Sequence, residues 1–302
     1  QKAKQLGYDD HPAFTYRAAE KLKEATERVW GFPYADLVMG CQMANPTNVF
    51  RAMSSGDPYP VKAFITLGNN TLLSYANQHQ ILQGLMNQEL IVAHEIFMTP
   101  TAMLADYVLP GDVFTERNHI ADGWSWGNRL TLSQKAVEPP PQASSTFQFW
   151  TDLAHRMGFA EYFPWNSIED ILDHRLSRSG RSFADFAADT FMESPPPKFR
   201  KYRSRGFATP SGKVELYSSV LEDMGFDPLP YYREGPSPNA EYPYAVFTGV
   251  REDPFFQTGQ RNIEVLRARC PTPKLFLHPT DAQREALQED DWVILELSLI
   301  HI

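Results

Sequence analysis

The sequence predicts an α/β protein built around a parallel sheet, and three successive segments carry that prediction. A buried, strand-forming run at residues 63–67 leads directly into Gly68. An amphipathic stretch follows, then a second apolar run at residues 90–93 and a third short strand at residues 107–109. Strand, helix and strand at this spacing are typical of a parallel βαβ unit, in which ligands bind beyond the carboxyl ends of the strands.

A polar loop follows each of the first two strands. The first loop is Gly68, Asn69 and Asn70, and the second loop is Thr99, Pro100 and Thr101. A glycine lets the backbone approach a ligand, and an asparagine amide both donates and accepts hydrogen bonds. We therefore expect the two loops to lie side by side and to contact one nucleotide-like ligand. The alternative for the first loop is an ordinary strand-to-helix turn.

Three further side chains near these loops each have two interpretations. Glu95 could accept hydrogen bonds from ribose hydroxyls or guanine N–H groups, or it could be a solvated charge at the rim. Thr99 could cap a short helix at residues 101–104 as well as contact a ligand. Asp106 either contacts the ligand or accepts hydrogen bonds from neighbouring backbone amides, and we favour the structural role.

Helix signals appear on both sides of this unit. Asp10, His11 and Pro12 predict a helix start, and an apolar face then repeats up to Gly31. Pro46 predicts a second helix with Val49, Ala52 and Met53 facing inward. Ser167 and Asp170 have capping-box spacing. A helical stripe is also predicted from four apolar side chains, which are Phe147, Trp150, Ala154 and Met157.

The C-terminal part has a different pattern. Val214, Leu216 and the turn before them indicate a hairpin. A proline-rich stretch places a boundary near Ala240. Short apolar runs at residues 244–247, 275–277 and 292–295 then suggest strands joined by long loops, as at the start of a β-barrel.

Composition excludes several classes of protein. The formal net charge of −9 argues against a nucleic-acid partner, because phosphate neutralisation needs clustered lysine and arginine. No run approaches the roughly 18–20 apolar residues of a membrane helix, so no direct membrane insertion is expected. Cys41 and Cys270 are too few for a disulfide framework or an iron–sulfur cluster. We expect no metal site within this chain.

Both ends of the sequence suggest a piece of a longer protein. The chain begins at Gln1 rather than methionine. Its last six residues, 297–302, back-translate without a gap to a transposon end sequence used in DNA-library preparation. We expect the native sequence to stop near Glu296. The alternative is a strand that continues from Trp292.

Several motifs together resemble one family, the molybdopterin-dependent oxidoreductases related to dimethyl sulfoxide reductase. The first loop is similar to the family's G-x-N-P turn. The signature T-x-T-A…A-D-x-V-L-P is matched by Thr99, Thr101, Ala102, Ala105, Asp106, Val108, Leu109 and Pro110. Residues 208–215, 247–251 and 277–282 resemble its T-x-S-G-K-x-E, T-G-R and H-P-x-D-A motifs. Asn70 replaces the family's proline and Glu95 its aspartate, and both changes are chemically mild. Asp290 replaces a glycine, and aspartate tolerates the left-handed geometry that the turn needs.

This resemblance implies a domain order. Residues 1–58 are expected to be the helical tail of a preceding lobe, and residues 59–120 an α/β dinucleotide-binding lobe. An irregular α+β region would occupy residues 121–240. Residues 241–296 would begin the C-terminal double-psi β-barrel that binds the molybdopterin dinucleotide.

The resemblance also implies cofactors and contacts. Two molybdopterin guanine dinucleotides with molybdenum or tungsten are expected, with a 4Fe–4S cluster in a part that precedes this chain. One guanosine end would contact Gly68, Asn69, Asn70, Glu95, Thr99 and Thr101, with Asp106 beside them. Thr248, Gly249, Arg251 and Thr258 would face the pterin and pyrophosphate. The alternative for Arg251 is a surface pair with Glu252 or Asp253.

Three activities are compatible with the resemblance. The sequence is similar in character to polysulfide and thiosulfate reductases, which implies a small-molecule substrate and an iron–sulfur electron-transfer subunit in anaerobic respiration. Some relatives run hydratase or hydroxyl-transfer chemistry without net redox change. A metal-free structural subunit is a third possibility. The family implies a bacterial or archaeal enzyme of the cytoplasm or periplasm.

Overall fold

The computed structural model describes residues 4–33, 43–121, 129–189, 191–193, 198–235, 237–248, 253–255, 259–297 and 300–301. The helices are α1 Tyr16–Trp30, α2 Pro46–Ser55, α3 Thr71–Ser74, α4 Gln78–Met86, α5 Thr146–Arg156, α6 Ile168–Leu176, α7 Phe183–Asp189, α8 Tyr202–Arg205, α9 Ser219–Asp223, α10 Glu264–Arg267 and α11 Pro279–Arg284. The strands are β1 Ala63–Leu67, β2 Leu90–Glu95, β3 Tyr107–Pro110, β4 His119–Ala121, β5 Arg129–Ser133, β6 Phe191–Glu193, β7 Glu296–Leu297 and β8 Ile300–His301.

The predicted parallel sheet is present, with strand order β1-β2-β3. Both strand pairs are parallel, and Leu67 pairs with His94, which in turn pairs with Leu109. The carboxyl ends of the three strands therefore lie at the same edge. This confirms the α/β fold class that the three segments predicted.

One face of this sheet is covered by α2 and α4. Their buried side chains Phe50, Met53, Ile81 and Leu85 form a cluster with Ile91 of β2. A Cβ placed on Gly84 would lie 3.0 Å from the Met53 Cβ, so α4 approaches α2 closely at that glycine. The inward face predicted for α2 is confirmed for Ala52 and Met53, which are buried.

The predicted start of the first helix was wrong. Pro12 begins a separate turn, Pro12–Phe14, and α1 starts four residues after Pro12, at Tyr16. The Thr15 hydroxyl accepts a hydrogen bond from the Arg17 N–H and also donates to the Pro12 carbonyl, so Thr15 is the cap. The predicted end at Gly31 is confirmed by its positive φ of 85°.

A small antiparallel sheet, β4-β5-β6, occupies the region that the sequence predicted to be irregular. Ile120 of β4 packs in a buried cluster with Leu172, Leu176 and Phe186. The capping box of α6 is confirmed, because the Ser167 hydroxyl accepts from the Asp170 N–H and Asp170 accepts from the Ser167 N–H.

The four-residue stripe predicted on α5 was partly wrong. Ala154 is buried, whereas Trp150 and Met157 are largely exposed. Thr151 is the second buried residue of the helix. The helix therefore buries a narrower face than its apolar residues predicted.

The predicted strands of the C-terminal part are not formed in the described chain. Residues 244–247, 275–277 and 292–295 have no strand pairing. Phe247, Phe276 and Trp292 are exposed, so no opposing strand covers them. The hairpin predicted around Val214 and Leu216 is instead a loop closed by hydrogen bonds such as that from the Thr209 hydroxyl to the Lys213 carbonyl.

Asp290 adopts a φ of 67°, as its replacement of glycine requires.

Among the described residues, no helix combines the length and the apolar character needed to cross a bilayer.

Candidate functional site

The first loop turns sharply away from the end of β1. Gly68 has a φ of 59°, a left-handed conformation that side chains disfavour. Its N–H donates to the His94 carbonyl of the neighbouring strand at 2.9 Å, so the turn is attached to the sheet. A Cβ built on Gly68 would meet no atom within 4 Å, which leaves open space in front of the backbone.

The Thr101 hydroxyl joins the two loops. It accepts from the Leu72 N–H at 2.9 Å and lies 2.9 Å from the Asn70 Oδ1. Thr101 is fully buried. The adjacency predicted for the two loops is therefore present, and a single side chain maintains it.

This arrangement also orients the Asn70 amide. A threonine hydroxyl has one proton, and here the Leu72 N–H occupies the oxygen as acceptor. The hydroxyl proton must therefore point to the Asn70 Oδ1. The other end of the Asn70 amide, Nδ2, is left as a donor without a recorded partner among the described residues.

Further donors surround the open space at Gly68. In the described part of the chain, the N–H groups of Asn69 and Asn70 have no recorded acceptor, and the exposed Asn69 side chain makes no recorded hydrogen bond. Successive free N–H groups at a strand-to-helix turn favour an anionic or carbonyl oxygen. The loop thus has the donor set that a phosphate or a guanine carbonyl requires.

Thr99 and Asp106 both have the structural contacts that the sequence suggested. The Thr99 hydroxyl accepts from the Ala102 N–H at 3.2 Å, at the start of the turn Ala102–Leu104. An Asp106 oxygen accepts from the Ile91 N–H at 2.7 Å. Asp106 is exposed rather than buried.

Glu95 is half-buried at the last position of β2, on the same edge as both loops. One of its carboxylate oxygens accepts from the Ile96 N–H at 2.9 Å. The other oxygen has no recorded partner among the described residues. Glu95 therefore retains an acceptor for a hydroxyl or N–H group at this edge.

Sequence reasoning missed His94, the residue that links this edge to the next segment. His94 is 5% exposed, and its Nε2 lies 2.8 Å from the Ser144 carbonyl. Its ring packs on Gly111, because a Cβ built on Gly111 would lie only 3.0 Å from the His94 Cε1. The only signal in the sequence was a histidine after four apolar residues of a strand, followed by a glycine after the next strand.

The second group of predicted contacts is mostly outside the described residues. Gly249, Arg251 and Thr258 fall in the undescribed segments, as does Cys41. Thr248 is exposed at the end of a described segment. These residues keep the status of predictions.

Two further polar side chains, Glu116 and His278, have structural partners. Glu116 accepts from the Val113 N–H at 2.9 Å and so closes a short turn, and the His278 ring nitrogen accepts from the Thr280 N–H at the start of α11. Among the described residues, no three His, Cys, Asp or Glu side chains are grouped as metal ligands would be.

Comparison with known proteins identifies the family. Residues 22–156 match the family model described as molybdopterin oxidoreductase. The match covers the parallel sheet, both loops and α5. A parallel sheet with these loops and this match is characteristic of the molybdopterin oxidoreductase family.

Two curated relatives illustrate the range. The chain is 44% identical over 302 residues to acetylene hydratase from Syntrophotalea acetylenica, covering 98% of this chain and 41% of that protein. It is 25% identical over 193 residues to the thiosulfate reductase molybdopterin-containing subunit of Salmonella typhimurium, covering 55% of this chain and 25% of that subunit. The chain thus spans about two fifths or less of the length of these relatives.

A solved structure agrees with the sequence comparison. Acetylene hydratase from Pelobacter acetylenicus superposes with a TM-score of 0.89 at 43% identity, over 97% of this chain and 41% of that structure. The chain belongs to the molybdopterin oxidoreductase family. Membership implies a molybdopterin cofactor with molybdenum or tungsten.

Proposed function

We propose that the carboxyl edge of the parallel sheet binds the guanosine end of a molybdopterin guanine dinucleotide. The proposed contacts are Gly68, Asn69, Asn70, Glu95, Thr99 and Thr101, with Asp106 beside them. The observation that carries this proposal is the Thr101 hydroxyl bond to Asn70, which holds the two loops together at the sheet edge. Ligands of open parallel sheets gather at this edge.

The chemistry of the site fits a guanine nucleotide. The Asn69 and Asn70 N–H groups and the Asn70 Nδ2 supply donors for phosphate or guanine oxygens. The unpartnered Glu95 oxygen supplies an acceptor for ribose hydroxyls or guanine N–H groups. The open space beside Gly68 lets a planar base or a phosphate reach the backbone.

Thr248, Gly249, Arg251 and Thr258 are proposed to contact the pterin and pyrophosphate. The support is their resemblance to the family's T-G-R loop. An arginine after a glycine offers a fork of donors that matches phosphate oxygens.

When bound, the cofactor supplies the reacting metal centre, and the protein supplies binding and orientation. The residues described here fix one end of the dinucleotide. Thr101 holds the two loops next to each other, and Asn70 directs its amide donor outward. His94 hydrogen-bonds to Ser144 and so connects the edge of the sheet to that residue.

For the complete protein we propose water addition to a small unsaturated substrate, without net redox change. The supporting observation is 44% identity to acetylene hydratase across nearly the whole chain, against 25% to the thiosulfate reductase subunit. The second candidate is an oxidoreductase acting on a small substrate with an iron–sulfur electron-transfer subunit. It is supported by the reductases among the relatives, including that subunit.

One assay of the complete protein separates these candidates. A hydratase converts acetylene and water to acetaldehyde, a reaction that consumes no electrons overall. We expect acetaldehyde formation that continues without consumption of an added electron donor, and no reduction of thiosulfate. Donor-coupled thiosulfate reduction without acetaldehyde formation would instead establish the oxidoreductase.

A further inference from the structure

A cavity lies next to α5, and no residue of the two loops lines it. It has a volume of about 450 Å³ and is bounded by α5, α6 and the residues that lead into β4. This volume is within the roughly 300–1,000 Å³ of small-molecule sites. The cavity is independent of the proposed dinucleotide contacts, since none of them lines it.

The walls of this cavity are mainly apolar. Helix α6 contributes Ile168, Ile171 and Leu172 from one face, and α5 contributes Phe147 and Trp150. The spacing of these residues by three and four positions places each set on a single helix face. A hydrocarbon or aryl group would therefore remove apolar surface from water on both sides.

One cation at the cavity has no ionic partner. Arg175 follows Ile168, Ile171 and Leu172 on the same face of α6 and lines the cavity, and it makes no ion pair with any described residue. Arg117 also lines the cavity, but it is paired at 2.5 Å with Asp112, whose side chain is 4% exposed. That pair is neutral overall, and Arg175 is the arginine of the described lining that makes no ion pair.

A buried hydroxyl lies in the same wall. Thr151 is 6% exposed and lines the cavity, and its Oγ1 has no hydrogen-bond partner in the described chain. A buried polar atom without a partner is uncommon in folded proteins. The wall therefore combines an apolar surface with a hydroxyl and a guanidinium that have no partner among the described residues.

We propose that this cavity binds an organic monoanion, namely a carboxylate that carries a hydrocarbon or aryl group. The guanidinium of Arg175 matches the two oxygens of a carboxylate, and the single positive charge matches a monoanion. The apolar walls hold the rest of the molecule. The Trp150 and Phe149 ring centroids are 5.0 Å apart and those of Phe149 and His94 are 5.8 Å apart, so two ring contacts connect the cavity wall to β2.

Calorimetric titration of the full chain with sodium octanoate at constant ionic strength tests this site. We expect saturable one-to-one binding that is about tenfold tighter than binding of 1-octanol, because only octanoate has the charge that Arg175 contacts. Arg175→Gln is expected to weaken octanoate binding about tenfold and to leave octanol binding unchanged. Trp150→Ala is expected to weaken both, because it removes an apolar wall.

Arg178→Gln is the matched control, since Arg178 is an exposed arginine that does not line the cavity. It removes the same charge and is expected to leave octanoate affinity unchanged. Equal affinities of the wild-type chain for octanoate and octanol would overturn the proposal without any variant. Equal weakening by the two arginine variants, or no saturable octanoate binding, would overturn it as well.

Discussion

A single hydroxyl group determines how the two loops of the candidate site are arranged. Thr101 is fully buried, and both of its hydrogen-bond partners lie about thirty positions earlier in the chain, at Asn70 and Leu72. The sequence indicated that the loops are neighbours, because parallel strands end at one edge. It could not indicate which threonine joins them, since Thr99 and Thr101 are the same residue type and differ only in the direction in which their side chains point.

Thr101→Val is expected to destabilise the protein by about 1–3 kcal/mol. Valine keeps the volume, but the variant leaves the Leu72 N–H and the Asn70 Oδ1 without their partner in a buried place. The measurement is urea denaturation of the variant and the wild-type chain. Thr47→Val is the control, because Thr47 is exposed and its hydroxyl makes no recorded hydrogen bond among the described residues. Equal midpoints for all three proteins would show that the hydroxyl link is unimportant.

Secondary-structure elements were predictable where local signals and burial agreed. The three apolar runs predicted as strands of the parallel sheet are accompanied in the sequence by an apolar helix face, and the structure confirms these strands. The C-terminal runs at residues 244–247, 275–277 and 292–295 have similar composition, but most of their side chains are exposed and none of these runs pairs as a strand. A strand needs a partner as well as β-forming residues, and the partner is not encoded in the run itself.

The loop at residues 209–215 shows how local hydrogen bonds replace the predicted hairpin. Its Glu215 carboxylate accepts from the Ser211 N–H at 2.9 Å and from the Ser219 hydroxyl at 3.0 Å. These bonds lower the pKa of Glu215 below its ordinary value of 4.5, and the bond from the Ser211 N–H has the largest effect. A carboxyl group whose pKa is lower in the folded protein stabilises it above pH 4.5, and this contribution is lost as the pH falls through the folded-state pKa.

Glu215→Gln is therefore expected to reduce the loss of stability on acidification. Glutamine cannot titrate, so the variant lacks the part of the acid transition that arises from this carboxylate. The check is the melting temperature of both proteins from pH 7 down to about pH 3.5. Glu234→Gln changes the charge equally at an exposed position and is expected to keep the wild-type slope. A parallel pH dependence for wild type and Glu215→Gln would contradict this role of Glu215.

At the scale of the whole molecule, the parallel sheet defines one ligand-binding edge and α5 and α6 enclose a separate cavity. The sequence motifs identified the family and the first site, because those residues lie together in the chain. The cavity was not predictable, since Arg175, Thr151 and Trp150 come from two helices whose packing no motif encodes. His94 was missed for the same reason, because its partner Ser144 is fifty positions away.

Guanine nucleotide binding at the sheet edge is tested most directly by calorimetric titration of the 302-residue chain with guanosine monophosphate. Saturable binding is expected, and adenosine monophosphate is expected to bind more weakly because its base lacks the carbonyl oxygen that the asparagine donors contact. Asn69→Ala is expected to weaken binding about threefold to tenfold, the effect of one lost hydrogen bond. The control is Gln83→Ala, an exposed amide on α4. Equal affinities for the two nucleotides, together with equal affinities of Asn69→Ala and Gln83→Ala, would contradict guanosine binding by these loops.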